Sequence, residues 1–174
     1  LIDAAAEPGV YLKALDEAGA TLTHILLTHG HYDHVGAVAA LKKATGCKAY
    51  MDPVDAQGSQ LLPLTPDVLT DNWPANDELT IDELTFKIYT RPATQGAGSA
   101  CLATGWLFSG DTLFAGSCGR TDFPGGSMQE MAKSLSLLAE LPLPDATKVL
   151  PGHEGFSHPR AGAQHQSLHD GAWY

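Results

Sequence analysis

Short apolar runs and amphipathic segments alternate along the first third of the chain. A helix is predicted by the spacing of apolar side chains in "VYLKALDEAGA", with Gly19 as its C-cap. A second helix is predicted over "VGAVAALKKATG", which closes at Gly46, and short strands are predicted at "LIDA", "THILLT" and "KAYM". This alternation is typical of an α/β domain, in which polar sites follow the carboxyl ends of buried strands.

The remaining pattern predicts hairpin strands and one more long helix. The proline-rich stretch over residues 52–76 is predicted to be a loop that holds one short helix. Strands are predicted at "DELTI", "LTFKIYT", "SACLAT" and "WLFSG", and a last strand at "TKVLPGH". An amphipathic helix with Ser127 as its N-cap is predicted over "SMQEMAKSLSLLAEL". Since no repeat or linker divides the chain, we predict one domain over residues 1–155 and a polar tail over residues 156–174.

The composition narrows the class of partner. The 174 residues include 20 acidic and 10 basic side chains, which gives a formal net charge of −10, and the basic residues form no cluster. This charge argues against nucleic acid and against an anionic membrane surface as partners. No apolar stretch approaches the roughly 20 residues of a membrane span. The three cysteines are far apart and form no CxxC pair, so we predict reduced thiols in a cytoplasmic protein.

The segment "THGHYDHVGA", residues 28–37, concentrates three histidines and an aspartate directly after a predicted buried strand. His29 and His31 are two residues apart, so in an extended segment both side chains point to the same side. Asp33 and His34 come where the chain turns into the next helix. Neighbouring imidazole and carboxylate groups suit Zn, Fe or Mn better than Ca or Mg. The alternative is a solvated loop of surface histidines, but the spacing after a buried strand favours two adjacent metal positions.

With these residues the chain resembles the metallo-β-lactamase-fold hydrolases, and most of all their short glyoxalase II-like (hydroxyacylglutathione hydrolase-like) branch. The signature His-x-His-x-Asp-His is matched by residues 29–34. Residues 108–127, "FSGDTLFAGSCGRTDFPGGS", resemble the family's stretch that carries the bridging aspartate. Residues 149–155, "VLPGHEG", resemble the stretch that carries the last metal histidine. The resemblance implies a four-layer αββα sandwich with a metal pair at one edge. Relatives carry further strands ahead of "IDAA", so it also implies a sandwich that lacks its first strands.

The resemblance implies a ligand set of imidazoles and carboxylates for two divalent metal ions, most naturally zinc, with iron or manganese as alternatives. The first ion would be held by His29 and His31, the second by Asp33, His34 and His153, and Asp111 would bridge the two. Asp33 and Asp111 would be the catalytic carboxylates, since Asp33 can orient a metal-bound hydroxide and pass its proton on. Taken alone, Asp111 could be a turn residue and His153 a loop histidine.

One expected ligand is absent from the sequence. Members of the family carry a further histidine in a stretch that resembles "TPGHTPGS", whereas the corresponding run here is "RPATQGAGS", residues 91–99. This alignment places Gln95 at the histidine position, and no other histidine lies between His34 and His153. An amide oxygen is a weaker ligand than imidazole for zinc-like metals. We therefore expect the first metal position to be weakened and under-occupied.

The resemblance implies hydrolysis of a thioester of a small thiol, such as S-lactoylglutathione, by a metal-bound hydroxide. Arg120 is a candidate clamp for a substrate carboxylate, and an ion pair with Asp122 is its structural alternative. Two other functions stay open. One is a persulfide (sulfur) dioxygenase-like enzyme with a single iron, and the other is a degenerate, non-catalytic member with a damaged first metal site at Gln95. No oligomeric state is predicted.

Overall fold

Helices and strands alternate as the sequence predicts in the computed structural model, which describes residues 1–56, 68, 73, 74, 77–90, 98–122 and 126–159. The helices are α1 (Pro8–Ala18), α2 (Tyr32–Val35), α3 (Val38–Thr45), α4 (Pro53–Ala56) and α5 (Met128–Glu140). The strands are β1 (His24–Leu26), β2 (Lys48–Tyr50), β3 (Glu78–Ile81), β4 (Leu84–Thr90), β5 (Ser99–Ala103), β6 (Trp106–Gly110) and β7 (Lys148–Pro151).

The strands form two sheets. β1 and β2 pair in parallel, and the predicted first strand reduces to a single parallel bridge between Ile2 and Leu26. The second sheet has the order β3-β4-β5-β6-β7. Its pairs are antiparallel except for β6 and β7, which are parallel neighbours. The carboxyl ends of β6 and β7 therefore meet at the same edge of the sheet.

Three apolar clusters hold the layers together. The first packs α1 and α3 on the first sheet, and its buried side chains include Ile25, Val38 and Leu41. The second packs α5 on the other face of the molecule, with Leu107 beneath Leu135. The third lies between the two sheets and joins residues of β1 and β2 to residues of β4 and β5. The order helix, sheet, sheet, helix is the four-layer αββα sandwich, and the predicted fold class is confirmed.

The predicted helix ends are found where local chemistry requires them. Gly19 and Gly46 cap α1 and α3 in the left-handed conformation, with φ of 58° and 72°. The Ser127 side chain accepts a hydrogen bond from the backbone N–H of Glu130 at 3.3 Å and begins α5. These caps fix where α1 and α3 stop and where α5 starts.

The second predicted helix begins later than the sequence pattern indicates, at Val38 instead of Val35, and a separate short helix precedes it. Residues 32–45 thus form two helices, α2 and α3, with Gly36 and Ala37 between them. The backbone N–H of Ala37 donates to the carbonyl of Ala4 at 2.8 Å instead of to its own helix. This tertiary hydrogen bond ends α2 after a single turn, and α2 carries Asp33 and His34.

Several other expectations can be placed on this fold. No helix of the described ranges is both long enough and apolar enough to cross a bilayer. Cys47, Cys101 and Cys118 are all free thiols. Ser157 pairs with Val149, so residues just after the predicted domain end pack against β7. Residues 160–174, most of the predicted tail, lie outside the described part of the chain.

Candidate metal centre

After β1 the chain continues as a segment that carries the first two histidines of the cluster, His29 and His31. His29 is almost fully buried, and its Nε2 lies 3.0 Å from Nδ1 of His31. The two rings meet edge to face, with centroids 4.5 Å apart. The alternation of an extended segment thus brings both imidazoles together, as the two-residue spacing predicts.

The short helix α2 turns the next two side chains of the cluster toward the same point. His31 occupies its N-cap, and Asp33 and His34 lie in its single turn. His34 is buried, and its ring centroid lies 4.0 Å from that of His29. The carboxylate of Asp33 is half-buried and faces the more open side of the site.

Asp111 and His153 enter from the second sheet, at the ends of the parallel neighbours β6 and β7. Nε2 of His153 lies 3.2 Å from Oδ2 of Asp33. Asp111 is central: its Oδ2 lies 3.7 Å from Nε2 of His29 and 3.6 Å from Nε2 of His153, and its Oδ1 lies 3.4 Å from Nε2 of His34. The structure therefore brings all six predicted ligands into one cluster.

The cluster divides into two groups. Within each group, the potential ligand atoms all lie within 4.8 Å of one another. We name them the first group, which consists of His29, His31 and Asp111, and the second group, which consists of Asp33, His34 and His153. Asp111 belongs to the first group and also contacts two histidines of the second. This is the arrangement that a carboxylate shared by two cations requires.

The interior of the cluster fits a bound cation. Nε2 of His34 and Oδ1 of Asp111 are buried, and neither atom has a hydrogen-bond partner within the described ranges. Buried polar atoms are normally paired. A Cβ at Gly152 would lie 2.5 Å from both Asp111 Oδ1 and His34 Cε1, so only glycine leaves this space open. Two imidazole and carboxylate sets around such a space are a donor set for zinc, iron or manganese.

The short distances between imidazoles and carboxylates in the cluster shift the pKa values of His34 and Asp111. Burial disfavours the charged imidazolium of His34, but Asp111 and Asp3 on its two sides outweigh burial and raise the pKa of His34 to about 10. Burial acts to raise the pKa of Asp111, but His34 and His29 hold the pKa of that carboxyl below its ordinary value. A cation at this place would replace the proton on His34.

A second layer of polar residues, which sequence reasoning did not identify, supports the ligands. Asp3 accepts hydrogen bonds from His34 Nδ1 at 2.8 Å and from the Thr28 backbone and hydroxyl at 2.8 and 2.9 Å. Asp3 has φ of 47°, a left-handed conformation that is rare outside glycine and enriched for Asp and Asn. The sequence signal for Asp3 is an acidic residue inside the short predicted strand "LIDA".

Gln95 lies outside the described residues, so the structure does not place it. Gly98 and Ser99, the next residues that the structure describes, lie beside the first group. The Ser99 backbone N–H donates to the Thr28 carbonyl at 2.6 Å, and a Cβ at Gly98 would lie 2.8 Å from Cβ of His29. The weakened first metal position stays a prediction.

The predicted substrate residue has an exposed side chain, and the backbone N–H of its neighbour Gly119 donates to the Asp111 carbonyl at 2.8 Å. Arg120 donates to both carboxylate oxygens of Asp122, at 2.9 and 2.7 Å, and both side chains are about two-thirds exposed. This is the ion pair that the sequence suggested as the alternative to a carboxylate clamp. The neighbouring Cys118 packs toward the α5 core, where burial raises the pKa of its thiol.

Comparison with known proteins places these observations in a family. A family model described as the metallo-beta-lactamase superfamily matches residues 1–153. A hydroxyacylglutathione hydrolase of Pseudomonas fluorescens is 37% identical over 155 residues, which are 87% of this chain and 56% of that protein. This chain thus spans about half the length of the curated relatives it matches.

Two solved structures are similar over nearly the whole chain. TTHA1623 in a di-iron-bound form is 31% identical with a TM-score of 0.79, over 96% of this chain and 87% of that one. ETHE1 from Myxococcus xanthus is 27% identical with a TM-score of 0.76, over 95% of this chain and 71% of that one.

Proposed function

This chain belongs to the metallo-beta-lactamase superfamily, and we propose that it is a metal-dependent hydrolase that cleaves a thioester of a small thiol, such as S-lactoylglutathione. The observation that carries the proposal is the position of Asp111 between the first and second groups. The substrate class is supported by relatives that are named hydroxyacylglutathione hydrolase.

Each group would hold one divalent ion, with Asp111 shared by both. Zinc is the first choice, and the di-iron-bound neighbour makes iron the leading alternative, ahead of manganese. When bound, such ions polarise a substrate carbonyl and lower the pKa of bound water. The first group would be the weaker site, because Gln95 stands where relatives carry a histidine.

The exposure of the ligand residues indicates from which side the substrate would approach the cluster. His29 and His34 are buried on the inner side, whereas Asp33 and His153 are partly exposed and border the approach to the cluster. A substrate carbonyl would therefore enter on the side of Asp33. The Asp33 carboxylate is placed to orient the attacking water and to carry its proton toward the leaving thiol.

We propose Arg120 as the group that binds a carboxylate of the substrate. Its ion pair with Asp122 is exposed to solvent, where such pairs contribute little, so a substrate carboxylate can replace Asp122. Arg120→Ala is expected to raise KM for a glutathione thioester with little change in kcat, which is the pattern of lost ground-state binding. Asp122→Asn is the matched control, and it should lower KM because it frees the guanidinium.

The test of the function is thioester hydrolysis by metal-loaded protein, followed through the thiol that is released. Asp111→Asn should reduce kcat/KM by more than the roughly ten- to hundredfold that outer-layer changes cause. Asp82→Asn is the matched control, because Asp82 is an exposed carboxylate in the β3–β4 turn. Full activity in Asp111→Asn, or no hydrolysis by a fully metal-loaded parent, would contradict the proposal.

A second candidate is an iron-dependent dioxygenase that acts on a persulfide. The first group consists of two histidines and one carboxylate, the set that non-heme Fe(II) oxygenases use. Oxygen consumption with a glutathione persulfide and one iron per chain would favour this candidate over the hydrolase. No thioester hydrolysis and no oxygen consumption, with less than one metal ion bound per chain, would favour a degenerate, non-catalytic member of the family.

We propose the cytoplasm as the compartment and a small thioester, rather than nucleic acid or a membrane, as the partner. The three free thiols and the acidic charge support this choice.

A further inference from the structure

A hydrogen-bond network behind the cluster joins the first and second groups through one carboxylate. Oδ2 of Asp3 lies 2.8 Å from Nδ1 of His34 and accepts from the Thr28 hydroxyl at 2.9 Å. The same hydroxyl lies 3.0 Å from Nδ1 of His29. Asp3 therefore contacts a histidine of the second group directly and a histidine of the first group through Thr28.

The protons of this network can be assigned by elimination. A carboxylate oxygen only accepts, so Nδ1 of His34 must carry the hydrogen that it shares with Asp3. The Thr28 hydroxyl has a single proton, which it donates to Asp3, and it therefore accepts from Nδ1–H of His29. With Nδ1 protonated in both histidines, Nε2 is the nitrogen that can act as a metal ligand, and Nε2 of His29 also lies 3.0 Å from Nδ1 of His31. Nε2 is also the atom that each ring turns toward Asp111.

Building on the metal centre proposed above, we propose that Asp3 is a positioning residue that sets the metal-binding tautomer in both groups, directly at His34 and through Thr28 at His29. Outer-layer partners of this kind fix the orientation and basicity of ligating histidines. The relay is unequal: removal of Asp3 disturbs both groups, whereas removal of the Thr28 hydroxyl disturbs only the first.

The backbone holds Asp3 in place for this task. The N–H of Asp3 donates to the Leu26 carbonyl at 3.0 Å, and the N–H of Ala4 donates to the His34 carbonyl at 2.8 Å. The left-handed φ of 47° costs free energy at a residue other than glycine. A conformation of this kind persists when the surrounding contacts determine it. Here these contacts place the Asp3 carboxylate against the His34 ring and the Thr28 hydroxyl.

The experiment compares zinc binding by the parent, Asp3→Asn, Thr28→Val and Thr28→Ser. Zinc affinity is measured by chelator competition, and the ring nitrogens of ¹⁵N-labelled histidines are followed by NMR during the titration, which separates His29 from His34. Valine keeps the shape of threonine and its backbone N–H to Asp3 but lacks the hydroxyl, and serine keeps the hydroxyl. Circular dichroism checks the fold of each variant.

Thr28→Val should weaken zinc binding at the first group by about ten- to hundredfold and shift the His29 nitrogens, with His34 unchanged. Asp3→Asn should weaken both groups by a similar factor, and Thr28→Ser should match the parent. Equal zinc binding by Thr28→Val and Thr28→Ser would overturn the relay even if Asp3→Asn fails to fold. A parent that binds zinc and shows the expected pattern without hydrolysing thioesters would overturn only the proposed function. A parent that binds no zinc would overturn the relay, and a parent that binds neither zinc nor iron would overturn the proposed function as well.

Discussion

Acidification is expected to expel metal from the second group chiefly by protonating one buried histidine. His34 lies between Asp111 and Asp3, and these carboxylates outweigh burial and raise the pKa of His34 to about 10 in the metal-free protein. An ion bound at Nε2 must displace that proton. A histidine with the ordinary pKa of about 6.5 is already neutral at about pH 8. His34 is still charged there, so metal affinity should go on rising above that pH.

The size of the effect follows from one displaced proton. Below a pKa of about 10, each unit of pH changes the affinity about tenfold, so the affinity should fall about a hundredfold between pH 9 and pH 7. Stability of the metal-free protein should change in the opposite sense. The pKa of His34 is higher in the folded state than in the unfolded one, so its stabilising contribution is complete below about pH 6.5 and is lost by about pH 10.

Two measurements check this reasoning. The Cε1–H resonance of His34, followed by NMR in metal-free protein, should titrate well above the ordinary histidine range. Zinc affinity by chelator competition should rise over the same pH interval. Asp3→Asn removes one of the two carboxylates and should lower the His34 midpoint. A His34 midpoint of about 6.5 in the parent, with a zinc affinity that stays constant above neutral pH, would contradict the raised pKa of His34.

Three further predictions concern single substitutions. Gly152→Ala places a Cβ 2.5 Å from two metal-site atoms and should abolish metal uptake and cost about 1–3 kcal/mol in urea unfolding, whereas Gly155→Ala, with open space around its Cβ, should change neither. Ser127→Ala removes the α5 cap and should lower the free energy of unfolding by about 1 kcal/mol, and an unchanged urea midpoint would contradict this. Gln95→His should raise the metal content per chain toward two by mass spectrometry, and an unchanged content would show that the first group does not need this histidine.

The ligands were predictable to the extent that they are local in sequence. His29, His31, Asp33 and His34 are nearly consecutive, and an extended segment followed by a turn is enough to bring them together. Asp111 and the distant His153 were identified only through resemblance to family motifs. The structure supplies the physical reason for their meeting, since each ends one of two parallel neighbouring strands.

The features that sequence reasoning missed all depend on contacts between distant segments. Asp3 lies 25 residues from Thr28 and 31 from His34, and no periodicity links positions so far apart. The break between α2 and α3 likewise depends on a hydrogen bond from Ala37 to Ala4. Hydrophobic spacing alone predicts a helix from Val35 onward and does not predict the separate turn of α2, because it carries no information about a tertiary acceptor.

Both missed features come from the same short segment, and together they explain how the second group is built. Residues 3 and 4 end α2 through Ala37, bind the His34 carbonyl through the Ala4 N–H, and support the His34 ring through the Asp3 carboxylate. The His34 side chain is thereby fixed at its backbone and at Nδ1, which leaves Nε2 free to face Asp111. His153, by contrast, is about half exposed. The second group thus combines a rigid inner ligand with an outer ligand beside the approach that we propose for the substrate.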